Sequence, residues 1–344
     1  MKENLLGKTL TELKTIAAEN GLPAFAAKQI ADWLYKKRVP TIDEMTNISA
    51  ANRSKLTEKY TVGAHAPIEA MLSADGTRKY LFSPPKKGGG AYESVFIPDA
   101  DRATLCVSSQ IGCKMNCRFC MTGKQGFSGN LSAGEIINQI QSIPESDKLT
   151  NLVFMGMGEP FDNTLEVMKV LEILTSDYGY AMSPRRITVS TIGIIPGMTV
   201  FLEKSQCHLA VSLHSPFDAE RQKLMPMNKI YTIEDILKMI KKYDFSHQRR
   251  VSFEYIMFDG LNDTMRHARE LARMLAGLDC RVNLIKFHAI PGVEFNDSNP
   301  EKMVFFRDYL SDNGIICTIR KSRGEDIFAG CGMLSSKKLS AEIK

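Results

Sequence analysis

Three cysteines, Cys113, Cys117 and Cys120, stand close together with the spacing C-x3-C-x2-C. A short loop of this kind supplies three thiolates, one fewer than the four that normally close a tetrahedral zinc site or hold an iron–sulfur cubane. The spacing predicts a cluster with one iron left open, and an open metal position is a place for chemistry rather than a structural tie. A disulfide knot fits less well. The chain opens at Met1 to Gly7 without an apolar signal segment, and 8 cysteines in 344 residues are too sparse for a disulfide-dense secreted domain. No Cys or His lies beside the triad, because Cys106 is upstream and the next histidine downstream is His208. A zinc site completed by a distant ligand stays open.

A chain of 344 residues can bury a large core and accommodates one large domain with a smaller one. Hydrophobic content of 44% and charged content of 24% are ordinary for a globular protein. No stretch reaches the roughly 20 apolar residues of a spanning helix, so no membrane association is expected and the cytoplasm is the expected compartment. The net charge of +5 is mild for a dedicated nucleic-acid-binding domain. Local basic patches are more suggestive: Lys36 to Arg38, Lys86 with Lys87, Arg185 with Arg186, Arg249 with Arg250, and Lys321 with Arg323.

Three regions follow from the patterning. Residues 1–60 read as helical, with apolar positions at Leu10, Leu13, Ile16 and Ala17, then Phe25, Ile30, Trp33 and Leu34, punctuated by Gly21 to Pro23. This N-terminal accessory domain is a candidate for RNA binding. Residues 61–99 carry short β-like runs, a small β extension, with a Pro/Lys/Gly loop from Ser83 to Gly90 that reads as a hairpin tip or as a basic finger. From 100 to 344 strands alternate with helices. Strands are expected at 103–108, 151–155, 186–190, 208–213, 251–257 and 281–287, and helices at 133–143, 163–174, 233–242 and 263–275. A last helix at 302–313 and a strand at 315–320 complete the pattern. Ser132 and Glu135 have capping-box spacing, which starts the first of these helices soon after the cysteine loop. The pattern predicts an α/β fold, a partial (β/α)6 barrel whose chemistry gathers at the C-terminal strand ends. The cysteine loop follows its first strand.

The triad, with Phe119 before its last cysteine, resembles the signature of the radical S-adenosylmethionine superfamily. Gly156, Met157, Gly158, Glu159 and Pro160, after the second strand, resemble its methionine-amine motif, a turn that offers carbonyls and one carboxylate to an ammonium group. The segments Asp101 to Cys113, Phe154 to Pro160, Ser212 to His214 and Arg323 to Gly332 resemble those of the adenine-C2 RNA methyltransferases, and the similarity runs over nearly the whole chain.

This resemblance implies methylation at C2 of adenine 2503 in 23S ribosomal RNA and of adenine 37 in tRNA. It implies one [4Fe–4S] cluster on Cys113, Cys117 and Cys120, and two equivalents of S-adenosylmethionine per turnover. One methyl passes to Cys331. A radical derived from the second molecule takes hydrogen from that methyl, and the resulting methylene radical adds to C2, a carbon too electron-poor to attack a sulfonium methyl itself. Glu93 matches the base that removes the C2 proton, and Cys106 the thiol that frees the product, leaving a Cys106–Cys331 disulfide. Contacts to S-adenosylmethionine carry over to Gly158, Glu159, Ser190, Ser212, Leu213 and His214, and to His288 where some relatives have Asn. By residue type alone, Cys106 would be a small buried hydrophobe and Glu93 a solvated strand residue. Cys207, Cys280 and Cys317 adjoin apolar runs and are assigned to the core.

The resemblance also implies 23S rRNA and tRNA as partners, a reducing donor such as flavodoxin, and a monomer. Two other readings share part of the pattern: C8 methylation of the same rRNA adenine, and an iron–sulfur protein that binds RNA without catalysis. A glycyl-radical activase would have no use for the Cys106 and Cys331 pair.

Overall fold

The computed structural model describes residues 2–83, 90–245 and 250–335. A ten-stranded sheet organises the molecule. Its strands in chain order are β1 (Glu69–Leu72), β2 (Arg78–Phe82), β3 (Tyr92–Asp99), β4 (Arg102–Cys106), β5 (Asn151–Phe154), β6 (Ile187–Thr191), β7 (His208–Ser212), β8 (Val251–Met257), β9 (Cys280–Lys286) and β10 (Ile316–Ile319). Each pairs with its neighbours in sequence, so spatial order and chain order coincide. The pairs from β1 to β4 are antiparallel and those from β4 to β10 are parallel.

A monotonic parallel order puts the crossover helices on one side, as in a barrel. Helix Ala133–Gln141 packs on Thr164–Thr175, that helix on Ile195–Lys204, and that one on Ile233–Ile240; Met265–Leu275 packs on Pro300–Asp312. Among the described residues β4 and β10 do not pair, so this is the expected partial barrel, open at one side. β8 is buried at every position, the pattern of a parallel strand covered on both faces. The antiparallel strands β1 to β3 continue the same sheet through β3 and β4.

Ser132 and Glu135 form the capping box that their spacing predicts, with both reciprocal hydrogen bonds present. Beyond the cysteine loop and its short helix, two barrel helices escaped the periodicity: Ile195–Lys204, which starts across Pro196 and Gly197, and the seven-residue Asp218–Leu224. Proline is compatible with a first helical turn, where no intrahelical N–H bond is lost, but it reads as a breaker in a sequence.

In the N-terminal unit, helix Leu10–Glu19 buries Leu13, Ile16 and Ala17 and is capped by Thr9 and Glu12. Phe25 points outward at 62% exposure, although it falls in the apolar pattern. This unit docks tightly on the barrel. A Cβ on Gly7 would lie 2.1 Å from the Gly134 nitrogen, so only glycine permits the two backbones to meet. Arg38 donates to Ser146 at 2.6 Å and to Asp147 at 2.7 Å, and Lys37 stacks 3.6 Å from the centre of the Trp33 ring. Much of the Lys36 to Arg38 patch thus ties the protein to itself. Pro84 to Gly89, which includes Lys86 and Lys87, and Arg249 lie outside the described residues.

Candidate active site

The strand ends converge on an open cleft enclosing about 870 Å³, lined by the three triad cysteines, Gly158, Glu159, Ser190, Ser212, His214, Glu254 and Cys331. The cysteines are delivered by an element that sequence patterning did not anticipate. Gln110–Gly112 pairs antiparallel with Phe127–Asn130, and the loop between them carries the triad. Gly112, at φ +76°, lets the strands cross there, because a Cβ would lie 1.9 Å from the Gly126 carbonyl oxygen. Cys113 follows, its N–H donating to that same oxygen at 2.9 Å, and Cys120 starts the short helix Met121–Lys124.

Burial pushes the Cys113 thiol up to about 12, and burial with the neighbouring sulfurs also raises Cys117 well above the ordinary thiol value. Cys120 is raised by burial too. Three thiols kept neutral in one wall call for a partner that brings positive charge. Three cysteine sulfurs lining one cavity are the donor set that holds an iron–sulfur cubane with one iron left open, so the residues fit a [4Fe–4S] group.

Beside the triad, Gly156 and Gly158 turn the chain at the end of β5. Gly158 has φ +95°, and a Cβ there would sit 2.4 Å from the Gln110 side chain. The turn aims Glu159, 3% exposed, at the cleft. Its N–H donates to Gln110 at 2.9 Å, and its carboxylate accepts from Phe161 N–H at 3.1 Å and Ile192 N–H at 3.0 Å. Burial pushes this carboxyl up to about 7 against those donors, which leaves it receptive to a cation.

His214, in a left-handed conformation at φ 57°, meets Phe119 edge-on with ring centres 4.8 Å apart. Its Nδ1 accepts from Ile256 N–H at 2.9 Å, which leaves the proton on Nε2. Burial and the Arg221 charge lower its pKa to about 3, so the ring stays neutral. Leu213 is core, and its carbonyl accepts from Arg221 at 3.1 Å behind the cleft wall.

Cys331 is exposed in the cleft between Gly330 and Gly332, and the walls around it hold its thiol up to about 11. Cys106, at the end of β4, is buried with the Met155 backbone beside its thiol, and burial followed by the proximity of the Cys331 sulfur raises it to about 12. Both thiols are free. His288 lies outside the cleft wall, under the Cys331 loop, with Ser322 Oγ at 3.3 Å and Glu325 at 3.6 Å. Glu93 is likewise off the wall: its carboxylate pairs with Lys79 at 3.1 Å and accepts from Ser335 N–H at 2.9 Å, four residues past Cys331. Cys207, Cys280 and Cys317 are buried in the main core.

Sequence reading missed three residues that shape the cleft. Gln110 braces the glycine turn. Glu254 lines the wall, held by Asn283 at 2.8 Å and Arg320 at 3.3 Å. Arg221, 1% exposed, donates to the carbonyls of Ile192, Ser212 and Leu213. In sequence Arg221 is one more cation in a polar stretch, and nothing local marks it as buried.

Comparison with known proteins agrees with this geometry. The radical SAM superfamily profile matches residues 107–272, and the ribosomal RNA large subunit methyltransferase N-terminal domain profile matches residues 3–62. The probable dual-specificity RNA methyltransferase RlmN of Parabacteroides distasonis is 62% identical, with 98% of each chain covered. The dual-specificity RNA methyltransferase RlmN of Nitratiruptor sp. is 39% identical over 97% of this chain and 98% of its own. A crystal structure of a radical SAM methyltransferase from Sphaerobacter thermophilus superposes with a TM-score of 0.90 at 38% identity, covering 97% of this chain and all of that one. The chain belongs to the RlmN-type RNA methyltransferases of the radical S-adenosylmethionine superfamily.

Proposed function

We propose that the protein methylates C2 of adenine, at position 2503 of 23S ribosomal RNA and at position 37 of tRNA, through a methyl carried on Cys331. The observation that carries this reading is the meeting of two kinds of cysteine. Cys331 shares one cleft with the triad, and no cluster needs it.

A [4Fe–4S] cluster on Cys113, Cys117 and Cys120, with two equivalents of S-adenosylmethionine per turnover, supplies the methyl and a hydrogen-abstracting radical. The chain's own residues do the rest. The glycine turn and Glu159 accept the amino group of S-adenosylmethionine, with Ser190, Ser212, the Leu213 backbone and neutral His214 along the same wall. Cys331, on its glycine-flanked loop, holds the carbon that joins the base. Glu93 takes the C2 proton, and Cys106 closes on Cys331 to release the product as a disulfide forms. His288 supports the Cys331 loop from below. A one-electron donor such as flavodoxin, a monomeric state and a cytoplasmic setting complete the reading.

Anaerobic reconstitution with cluster, S-adenosylmethionine and reductant, followed by mass spectrometry of nucleosides from rRNA and tRNA, tests it. The expected product is 2-methyladenosine in both; 8-methyladenosine without it overturns the assignment. Cys106→Ala should trap RNA covalently on Cys331, and absence of any adduct counts against the two-cysteine route.

A further inference from the structure

Glu93 is an unusual place to find a base. The residue is 6% exposed, it leaves the water that would keep it ionised, and burial raises its pKa. A buried carboxyl left alone takes up a proton and cannot accept another. Lys79 answers this. It is 8% exposed, an uncommon state for lysine, and its Nζ lies 3.1 Å from Glu93 Oε1. The register explains the encounter: Leu81 on β2 is opposite Glu93 on β3, so Lys79 is its diagonal neighbour on the same face.

We propose that Lys79 is a positioning residue for proton removal, holding the Glu93 carboxylate ionised and oriented until it takes a proton from the RNA base. The inference rests on the reading of Glu93 as that base. The step is a proton transfer only: the proton leaves carbon for a carboxylate oxygen, and its bonding pair stays with the ring.

The other groups around Glu93 cannot replace Lys79. Glu69 on β1 is a like charge that opposes ionisation. Cys106, opposite Val95 on β4, is a thiol that burial keeps neutral. Ser335 N–H favours the carboxylate at 2.9 Å, but it carries no charge and belongs to the segment of Cys331, not to the sheet. Lys79 is on the strand beside Glu93 and brings a full positive charge. Two strands thus set the charge of Glu93 through one register.

The test measures RNA methylation by the reconstituted enzyme across pH for Lys79→Met, Lys79→Arg and Glu93→Gln, with melting temperature and iron content as folding controls. Removing the ammonium should move the acidic limb of the profile to higher pH. Turnover near neutrality should fall about tenfold or more, recover at alkaline pH, and be restored by Lys79→Arg. Lys79→Gln, which keeps a hydrogen-bond donor without the charge, is the second variant if Lys79→Met does not fold, and the same shift is expected. An unshifted limb in the neutral variant, beside an inactive Glu93→Gln, overturns the role of Lys79 alone. Parental turnover in Glu93→Gln overturns the reading of Glu93 itself.

Discussion

One guanidinium joins two strand ends: Arg221 Nη2 donates to the Ile192 carbonyl at 2.6 Å and to the Ser212 carbonyl at 2.8 Å. These carbonyls follow β6 and close β7, where the cleft wall turns toward Glu159 and His214. Arginine suits the position because its planar fork spans several acceptors that a lysine ammonium cannot reach together.

Arg221→Met should therefore cost at least about 3 kcal/mol, since several buried carbonyls lose their donor at once. Denaturant unfolding of the apo protein measures it. Arg221→Lys should recover only part, and both variants should bind S-adenosylmethionine less tightly than the parent.

Gly158→Ala should cost about 1–2 kcal/mol for the left-handed backbone alone, with a further penalty from the 2.4 Å approach to Gln110. Its more telling effect is on binding. The turn that aims Glu159 shifts, so equilibrium dialysis of S-adenosylmethionine against the reconstituted protein should show loss of affinity while iron content stays at the parental level.

Glu159 predicts a pH effect in protein stripped of cluster and ligand. Burial raises its carboxyl from 4.5 to about 7, so the folded state holds a proton that the unfolded state has released across that window. Its contribution to stability is fully present below pH 4.5 and is lost as pH rises toward 7, by about 3 kcal/mol in all. Glu159→Gln should flatten this segment of the curve of stability against pH. An unchanged slope in the variant would assign the proton uptake elsewhere.

The eight cysteines should divide by function. Alanine at Cys113, Cys117 or Cys120 should abolish retention of the cluster, read as iron content and visible absorption. Alanine at Cys207, Cys280 or Cys317 should leave iron content unchanged and cost only the packing of a small buried side chain. Alanine at Cys106 or Cys331 should keep the iron and lose turnover.

What the sequence made legible was what local chemistry dictates. The triad, the glycine turn at Gly158, the Ser132 cap and the alternation of strands with helices can all be read from neighbouring residues. What stayed hidden depends on contacts between distant segments. Arg221 matters because three carbonyls from two loops surround it, and Lys79 because β2 and β3 pair in one register. The helix at Ile195–Lys204 was hidden for another reason: Pro196 ends most helices yet can begin one.

Among the described residues, the segment after Cys331, Gly332 to Ser335, pairs with no strand of the sheet. Gly332 and Leu334 offer carbonyls to Met121 N–H and Thr122 Oγ1, and Ser335 bonds Gln125 and Glu93. None of these contacts is a rung of a sheet ladder, so a local opening here would leave the hydrogen bonds of the barrel in place. Ser335 is four residues past Cys331, so one short segment touches both the cleft that holds this thiol and the carboxylate of Glu93.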